Sequence, residues 1–250
     1  MRRFTIAPDR IDGGRVTFDR DESRHLVRVL RLRPGDTVVG TDGSGRDYTV
    51  RLERLDDGAA TGTILAVATR AVESPLRVTL VQGVPKGDKM EQIVRAATEL
   101  GVARVLPALT ERTIVRLEPG RWRERARRWQ RVAREAAKQC GRATIPEVEG
   151  PRALEECLTG AEGELRLCLW EGEAPALASV LDGRGSAPAG AVVVVGPEGG
   201  LAREEVEAAR AVGFQPVGVG PRILRTETAG PAIIAVLQYR YGDLATRGTA

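Results

Sequence analysis

The pattern of apolar and polar positions changes once along the chain, near residue 70. Before that point, short alternating segments such as RVTF and YTVRLERL are separated by clusters of turn-forming residues, which is typical of a small β-barrel. One helix interrupts these strands, and Ser23 is predicted to cap it, with Leu26 and Leu30 on its apolar face. We therefore expect an all-β domain over residues 1–72.

After residue 72, apolar segments of strand length alternate with segments of helical periodicity. The predicted strands are RVTLVQGV, ARVLPAL, LRLCLW, AVVVVG and QPVGVG. The predicted helices lie around 90–100, 119–141, 201–212 and 231–241. This alternation is typical of an α/β domain with a largely parallel sheet. The expected fold class is thus α/β, with a small β-barrel over 1–72 and an α/β domain over 73–250.

The composition argues against several kinds of catalytic and metal site, although it says little about the fold. Hydrophobic residues make up 42% of the chain and charged residues 29%, as in soluble globular proteins. One histidine, His25, and three cysteines without a C-x-x-C spacing argue against a zinc site, and a Ser-His-Asp mechanism would have to use His25. We expect no metal.

No segment resembles a signal peptide or a membrane span, so we expect a cytoplasmic protein without membrane contact.

Positive charge is concentrated in one segment of the chain. The 38 basic and 34 acidic residues give a net charge of +4. Residues 121–142 hold nine basic residues against two acidic ones, which leaves the rest of the chain net acidic. In the N-terminal domain, Arg24, Arg28 and Arg31 lie on the polar face of the predicted helix. Both sets of arginines suit either a solvated surface or contacts with RNA phosphates.

Two glycine-proline loops follow predicted strands, and each precedes a helix. Gly196-Pro197-Glu198-Gly199-Gly200 comes directly after the run of valines, and the segment 218–229 follows the last strand. Ligands collect at the carboxyl ends of strands in open α/β sheets, where glycines let the backbone approach them. The first of these loops matches neither a dinucleotide nor a triphosphate fingerprint. A third loop, Trp170-Glu171-Gly172, ends another strand, and we expect all three to line one pocket.

Several motifs in order along the chain resemble one known family. These are RHLVRVLRLRPGD, PKGDKMEQIV, TELGV, RWQRVAREAAKQCGRATIPEV, VGPEGGL and VGPRILRTETA. Together they span nearly the whole chain, and they resemble the bacterial 16S ribosomal RNA (uridine-N3) methyltransferase family of the SPOUT superfamily. Linked motifs in a fixed order are far more specific than any one of them alone.

The resemblance implies a PUA-like N-terminal barrel and a C-terminal SPOUT domain with a deep trefoil knot, which general connection rules would not suggest. It also implies a homodimer that binds S-adenosyl-L-methionine in the knotted loops. The implied substrate is a uridine of 16S rRNA in the small ribosomal subunit, methylated at N3. The pair Gly230-Pro231 departs from the helix-forming residues expected there, and it is expected to shift the start of the last helix.

The resemblance also assigns residues to the cofactor. Backbone groups around Gly196, Gly199, Gly200 and Gly220 are expected to hold the adenine and ribose, with Leu224 as apolar packing. The residues assigned to the cofactor are Leu169, Trp170, Glu171, Gly196, Pro197, Glu198, Gly199, Gly200, Val219, Gly220, Ile223, Leu224, Arg225, Thr226 and Thr228.

Methylation of uracil N3 requires loss of its proton and stabilisation of the negative charge on O2 and O4. Arginine and carboxylate side chains suit these tasks. Arg225 is expected to stabilise the anion together with Arg112 or Arg142, and Glu135 or Glu198 to help remove the proton. The expected RNA contacts are Arg24, Arg28, Arg31, Lys86, Lys89, Arg128 and Arg131.

Two alternatives stay open at this point. A SPOUT methyltransferase could act on another atom, such as a ribose 2′-hydroxyl or guanine N1, and residue spacing does not separate these targets. A non-catalytic RNA-binding or assembly protein could keep the same fold, although the glycine loops and the TETA motif argue against it.

Overall fold

A computed structural model describes residues 3–69 and 73–245. The chain divides into two compact units. The first comprises Met1–Glu73 together with Ala137–Ile145, and the second comprises Ser74–Ala136 and Pro146–Ala250. Each unit is described by itself below.

The first unit contains a six-stranded sheet, a short 3-10 helix over Pro8–Arg10 and a short α-helix, which continues as a π-helix over His25–Val29. In chain order its elements are β1 (Arg3–Thr5), β2 (Ile11–Asp12), β3 (Arg15–Thr17), α1 (Arg20–Arg24), β4 (Thr37–Thr41), β5 (Arg46–Arg54) and β6 (Thr61–Thr69). The strand order is β1-β4-β5-β6-β3-β2. β1 pairs with β4 in parallel, and the other pairings are antiparallel. Phe4, Phe18 and Leu26 are fully buried in its core. In β5 the residues Tyr48, Val50 and Leu52 are buried in the same core, because alternate residues of a strand point to one face.

The N-terminal helix begins earlier than its predicted cap. α1 starts at Arg20, and the side chain of Asp19 accepts a hydrogen bond from the Glu22 amide at 2.8 Å. The prediction that Ser23 caps this helix was wrong. Ser23 is fully buried, and its hydroxyl donates to the Phe18 carbonyl and accepts from the Ala60 amide. Its hydroxyl is therefore used to join the helix to the strands.

The second unit alternates strands and helices as predicted. Its elements are β7 (Arg77–Gly83), α2 (Lys89–Glu99), β8 (Val102–Leu109), α3 (Pro119–Cys140), β9 (Glu147–Val148), β10 (Arg152–Ala153), α4 (Leu154–Gly160), β11 (Leu165–Leu169), α5 (Leu177–Asp182), β12 (Gly190–Val195), α6 (Arg203–Ala211), β13 (Gln215–Val217) and α7 (Thr226–Tyr241). The last residues of α3 count with the first unit.

The sheet of the second unit is parallel, which confirms the prediction. Its strand order is β10-β8-β7-β12-β11-β13, with β9 also paired to β8, and each of these pairings is parallel. β12 lies in the middle, and Ala191–Val195 is buried along its length. A strand covered on both faces needs apolar side chains in both directions, which explains the uninterrupted run of valines.

The segment Ala137–Ile145 is packed within the first unit. The Lys138 ammonium lies 2.7 Å from a carboxylate oxygen of Glu22, and the Gly45 amide donates to the Ala143 carbonyl. Arg142 forms an ion pair with Glu73 at 2.6 Å. The Glu73 carboxylate also accepts the amides of the two residues after Arg142. This segment therefore belongs to the hydrogen-bonded framework of the barrel.

The last helix begins at Thr226, and the prediction of a start near 231 was wrong. The amides of Thr228 and Ala229 donate to the Arg225 carbonyl at 2.8 Å, and the helix continues through Gly230 and Pro231. Pro231 removes its own amide hydrogen and crowds the carbonyl four residues earlier, but α7 continues past it with Ile233, Ile234 and Leu237 fully buried. Among the described residues, no helix combines the length and hydropathy that a membrane crossing needs.

Candidate functional site

The carboxyl ends of the central strands meet at one edge of the second unit's sheet. Val195 of β12 is paired with Gln82 of β7, and Leu169 of β11 is paired with Val217 of β13. All these strands run in the same direction, so the loops that follow them emerge together. This edge is where open parallel sheets bind ligands.

These loops enclose a cavity of about 640 Å³, within the range of roughly 300–1,000 Å³ that is usual for small-molecule sites. Three loops supply most of its walls, as the sequence predicted, while Lys89 and Arg112 enter from two other segments. The lining residues are Lys89, Arg112, Leu169, Trp170, Glu171, Gly172, Ala174, Val195, Gly196, Pro197, Glu198, Gly199, Gly200, Leu201, Val217, Gly218, Val219, Gly220, Pro221, Arg222, Ile223, Leu224, Arg225, Thr226, Glu227 and Ala229.

Glycines let the backbone segments around the cavity approach closely. A Cβ atom on Gly83 would lie 2.5 Å from the Cδ atom of Pro197, and one on Gly196 would lie 2.6 Å from the Gly200 carbonyl carbon. Both distances are shorter than side-chain carbons tolerate. A side chain at Gly83 would push the loop 196–200 away from β7, and one at Gly196 would distort the loop itself. The loop thus presents backbone amides and carbonyls to the cavity with little side-chain bulk.

One lysine joins the two glycine-proline loops. The Lys89 ammonium lies 3.1 Å from an oxygen of Glu198 and 3.3 Å from an oxygen of Glu227. Hydrogen bonding to Glu198 raises the pKa of Lys89, despite some opposing desolvation. Partial burial alone would raise the pKa of Glu198, but hydrogen bonds from its own amide, from Lys89 and from the Lys86 amide lower it below its ordinary value. Glu198 is therefore a carboxylate at neutral pH and a weak proton acceptor.

Two of the three arginines that line the cavity, Arg112 and Arg225, have different contacts. The Arg112 guanidinium donates to the Gly199 carbonyl at 2.8 Å, which directs it along the loop. The Arg225 side chain is 85% exposed, and its ion-pair distance to Glu227 is 4.0 Å, the outer limit of such contacts. Arg225 can therefore turn towards a negatively charged group that enters the mouth of the cavity.

The structure brings together most of the predicted site residues. All the residues assigned to the cofactor line the cavity except Thr228, which is exposed on α7. Of the five predicted catalytic residues, Arg112, Glu198 and Arg225 line it. The other two do not: Glu135 is exposed on α3, and Arg142 is bonded to Glu73 in the first unit.

The predicted RNA contacts are spread over both units. In the first unit Arg24, Arg28 and Arg31 are exposed, and Arg28 forms an ion pair with Asp57. In the second unit Lys86, Arg128 and Arg131 are exposed and Lys89 lines the cavity. Arg128 lies 2.8 Å from Glu91.

Sequence reasoning missed Gln82 and misjudged the surroundings of Lys89. Gln82 is fully buried at the end of β7, and its amide contacts Thr226 and the backbone of the loop 196–200. An amide inside an otherwise apolar parallel strand was the available signal, because buried polar groups need partners. Lys89 gave no such signal, since both of its carboxylate partners are distant in sequence.

Neither thiolate chemistry at the two buried cysteines nor metal binding by clustered side chains is indicated in the described residues. Burial raises the pKa of Cys157 to about 11 and that of Cys168 to about 12, so neither is a thiolate at neutral pH. Within residues 3–69 and 73–245, no group of three or more histidine, cysteine, aspartate or glutamate side chains is arranged to hold a metal ion.

Two family models match the chain. The model described as an RNA methyltransferase domain matches residues 72–238, and the model described as an RNA methyltransferase PUA domain matches residues 18–65. The chain belongs to this RNA methyltransferase family. The first match covers every loop of the cavity, and the second falls within the barrel strands and α1.

Individual proteins support this assignment. The chain is 38% identical to the ribosomal RNA small subunit methyltransferase E of Synechocystis over 93% of its own length and 76% of that protein. It is 30% identical to the Bacillus subtilis protein of the same name, over 88% of each chain. It also resembles the crystal structure of the Neisseria gonorrhoeae enzyme of that name bound to S-adenosyl methionine, with a TM-score of 0.86, 37% identity and coverage of 98% and 99%.

Proposed function

We propose that this RNA methyltransferase uses S-adenosyl-L-methionine to methylate N3 of a uridine in 16S rRNA of the small ribosomal subunit. The observation that carries the proposal is the cavity at the carboxyl edge of the parallel sheet, lined by the three loops that the sequence assigned to the cofactor. The N. gonorrhoeae relative, similar over nearly its whole length, is bound to S-adenosyl methionine. We further propose that the loops around the cavity form the knot implied by the resemblance.

The residues of the cavity fit this cofactor. The loop 196–200 lines the cavity with three glycines, whose backbone groups can approach a ligand closely. Leu169, Val217 and Leu224 supply apolar surface for a planar base, while Glu171 adds a carboxylate to the same wall. When bound, S-adenosyl-L-methionine supplies a methyl group activated by a neighbouring sulfonium charge.

The cavity arginines are suited to stabilise the uracil anion. Arg225 is exposed at the mouth, where it can approach a base, and its charge favours loss of the N3 proton because an adjacent cation lowers the pKa of an acid. Arg112 lies on the same cavity wall, held by the Gly199 carbonyl. We propose that these two residues are the catalytic pair, and that Arg142 acts only in the barrel.

The proton acceptor is proposed to be solvent. The Glu198 carboxylate accepts from the Lys89 ammonium and from the Lys86 amide, so it is engaged in holding these groups rather than free to take a proton. Glu135 does not line the cavity. An adjacent guanidinium lowers the pKa of the N3 proton, so N3 is proposed to ionise to bulk solvent before methyl transfer, without a carboxylate base. Glu198 then serves to hold Lys89 between the two loops.

RNA docking is proposed on the basic surfaces. The exposed arginines of α3 lie in the second unit, and Arg24 and Arg31 lie on the first. Such side chains bind phosphates without reading sequence. Because Arg28 and Arg128 are paired with carboxylates, they are expected to contribute less than Arg31 or Arg131.

We propose a homodimer in which α7 faces a second copy of the chain. Val236 is 41% exposed and Tyr239 is 67% exposed, although both lie on a predominantly apolar helix. A helix that is apolar on all sides is usually buried on all sides.

The proposed location of the protein is the cytoplasm, where small ribosomal subunits assemble.

Purified protein, labelled S-adenosyl-L-methionine and unmethylated small ribosomal subunits provide the test. The proposal expects label in 16S rRNA, recovered as 3-methyluridine by nucleoside mass spectrometry. Label in a ribose 2′-O-methyl group or in 1-methylguanosine would support a different SPOUT target. Absence of cofactor binding in calorimetry would support a non-catalytic RNA-binding protein.

A further inference from the structure

A buried hydrogen-bond network lies beneath the cavity, between the end of β7 and the start of α7. The Gln82 side-chain amide donates to the Thr226 hydroxyl oxygen at 2.9 Å and to the Gly83 carbonyl at 3.0 Å. The Thr226 hydroxyl donates to the Gly196 carbonyl at 2.7 Å. Gln82 is fully buried and Thr226 nearly so, so water has little access to these groups.

The geometry fixes the orientation of the Gln82 amide. Its nitrogen faces the carbonyl oxygens of Gly83 and Gly196, at 3.0 and 3.4 Å, and only a donor is stable there. Its oxygen then points to α7, where a Cβ atom on Gly230 would lie 3.2 Å away. Glycine at position 230 therefore makes room for this amide, which gives a structural reason for the Gly230-Pro231 pair.

The network joins the segments that carry the candidate chemistry. Gly196 is the first residue of the loop 196–200, and Thr226 directly follows Arg225. Both Gly196 and Thr226 line the cavity. The hydrogen bond between them and the hydrogen bond from Gln82 to Thr226 lie on the buried side, away from the cavity. The positions of the cofactor loop and of the first turn of α7 thus depend on the same hydroxyl.

We propose that Gln82 and Thr226 are positioning residues of the cofactor site, which hold the loop 196–200 against the start of α7 in the shape that binds S-adenosyl-L-methionine. This inference rests on the proposed function. Removing the hydroxyl would leave the Gly196 carbonyl with only the long contact of 3.4 Å to the Gln82 amide, and it would take from that amide its acceptor at 2.9 Å. Buried groups left in this state favour rearrangement of the loop.

Thr226→Val tests this proposal, because valine has the shape of threonine without its hydroxyl. Thr226→Ser retains the hydroxyl and is the rescuing variant. The matched control is Thr98→Val in α2, where a fully buried hydroxyl donates to the Val94 carbonyl at 2.7 Å but does not line the cavity. Isothermal titration calorimetry gives the Kd for S-adenosyl-L-methionine of each variant, and thermal unfolding gives its Tm.

Thr226→Val is expected to raise the Kd and the KM for the cofactor about tenfold or more, with a smaller change in kcat. Thr226→Ser is expected to recover most of the affinity that Thr226→Val loses, because it keeps the hydroxyl. Thr98→Val is expected to lower Tm with little effect on Kd. Equal Kd values for Thr226→Val and Thr98→Val would overturn the positioning role while leaving the proposed function intact.

Two further measurements distinguish failure of the proposed function from failure of the positioning role. Wild-type protein that does not bind the cofactor would overturn the proposed function, and the positioning role with it. If Thr226→Val does not fold, Gln82→Asn decides, because it keeps the amide but withdraws it by one methylene from Thr226. A weakened Kd for Gln82→Asn supports the proposal, and an unchanged one overturns it.

Discussion

Replacement of Arg225 by alanine separates catalysis from cofactor binding. The side chain is 85% exposed, and its nearest carboxylate, on Glu227, is 4.0 Å away. Few native contacts are therefore lost, and the change in folding free energy should stay within about 0.5 kcal/mol, as for other surface substitutions. The loss should instead appear in the methyl-transfer step, where the guanidinium opposes the charge on the uracil anion.

The expected magnitude follows from the same geometry. Removing one donor to a developing anion lowers kcat by about 10²–10³ in enzymes where the donor is enclosed. Because Arg225 lies at an open mouth, where solvent screens its charge, we expect the lower end, about 10²-fold. The Kd for S-adenosyl-L-methionine should change by less than about threefold, since loops rather than this guanidinium supply most of the cavity wall.

Single-turnover methyl transfer and isothermal titration calorimetry measure the two quantities separately. Arg225→Lys keeps the charge but loses the planar fork, so it should retain more activity than the alanine variant. Arg210→Ala, at an exposed arginine of α6 outside the cavity lining, is the matched control and should behave as the wild type. Equal losses of kcat and cofactor affinity in Arg225→Ala would refute its role as an anion-stabilising residue.

Other predictions concern regions outside the cavity. Arg142→Ala should lower Tm and leave the kcat of the folded fraction unchanged, because Arg142 binds Glu73 in the barrel; a large loss of kcat at unchanged Tm would return it to the site. Burial alone would raise the pKa of Glu73, but Arg142 and Thr144 hold it below its ordinary value of 4.5. Its contribution to stability should therefore be complete above that pH and be lost on further acidification, as urea titrations at several pH values would show. Arg131→Ala should reduce the salt dependence of RNA binding by about one unit of slope in log Kd against log salt, and an unchanged slope would remove it from the interface. Tyr239→Asp should shift the proposed dimer to monomer in light scattering, whereas a wild-type monomer would contradict that assembly.

The cavity was predictable because glycine-rich loops follow strands that are recognisable in the sequence. Glycines follow strands at 196 and 218, and parallel strands bring such loops to one edge whatever their separation in sequence. The apolar run ending at Val195 predicted a central strand for the same reason, since only a strand covered on both faces needs it. Those loops are the ones that line the cavity.

Long-range pairing explains most of what the sequence did not reveal. Lys89 looked like an RNA contact because its partners, Glu198 and Glu227, are far away in the chain. Nothing local indicates that Arg142 binds Glu73 in the first unit. The prediction for Ser23 was wrong for a different reason: Asp19, four residues earlier, caps the helix, and the Ser23 hydroxyl is bonded inside the core.

Nucleoside mass spectrometry of 16S rRNA from a strain that lacks this protein tests the central claim most directly, because it identifies both the modified atom and the modified molecule. The account predicts that 3-methyluridine disappears from 16S rRNA, returns with the wild-type gene and does not return with the Arg225→Ala gene. An unchanged level of 3-methyluridine, with loss of a different methylated nucleoside, would contradict it.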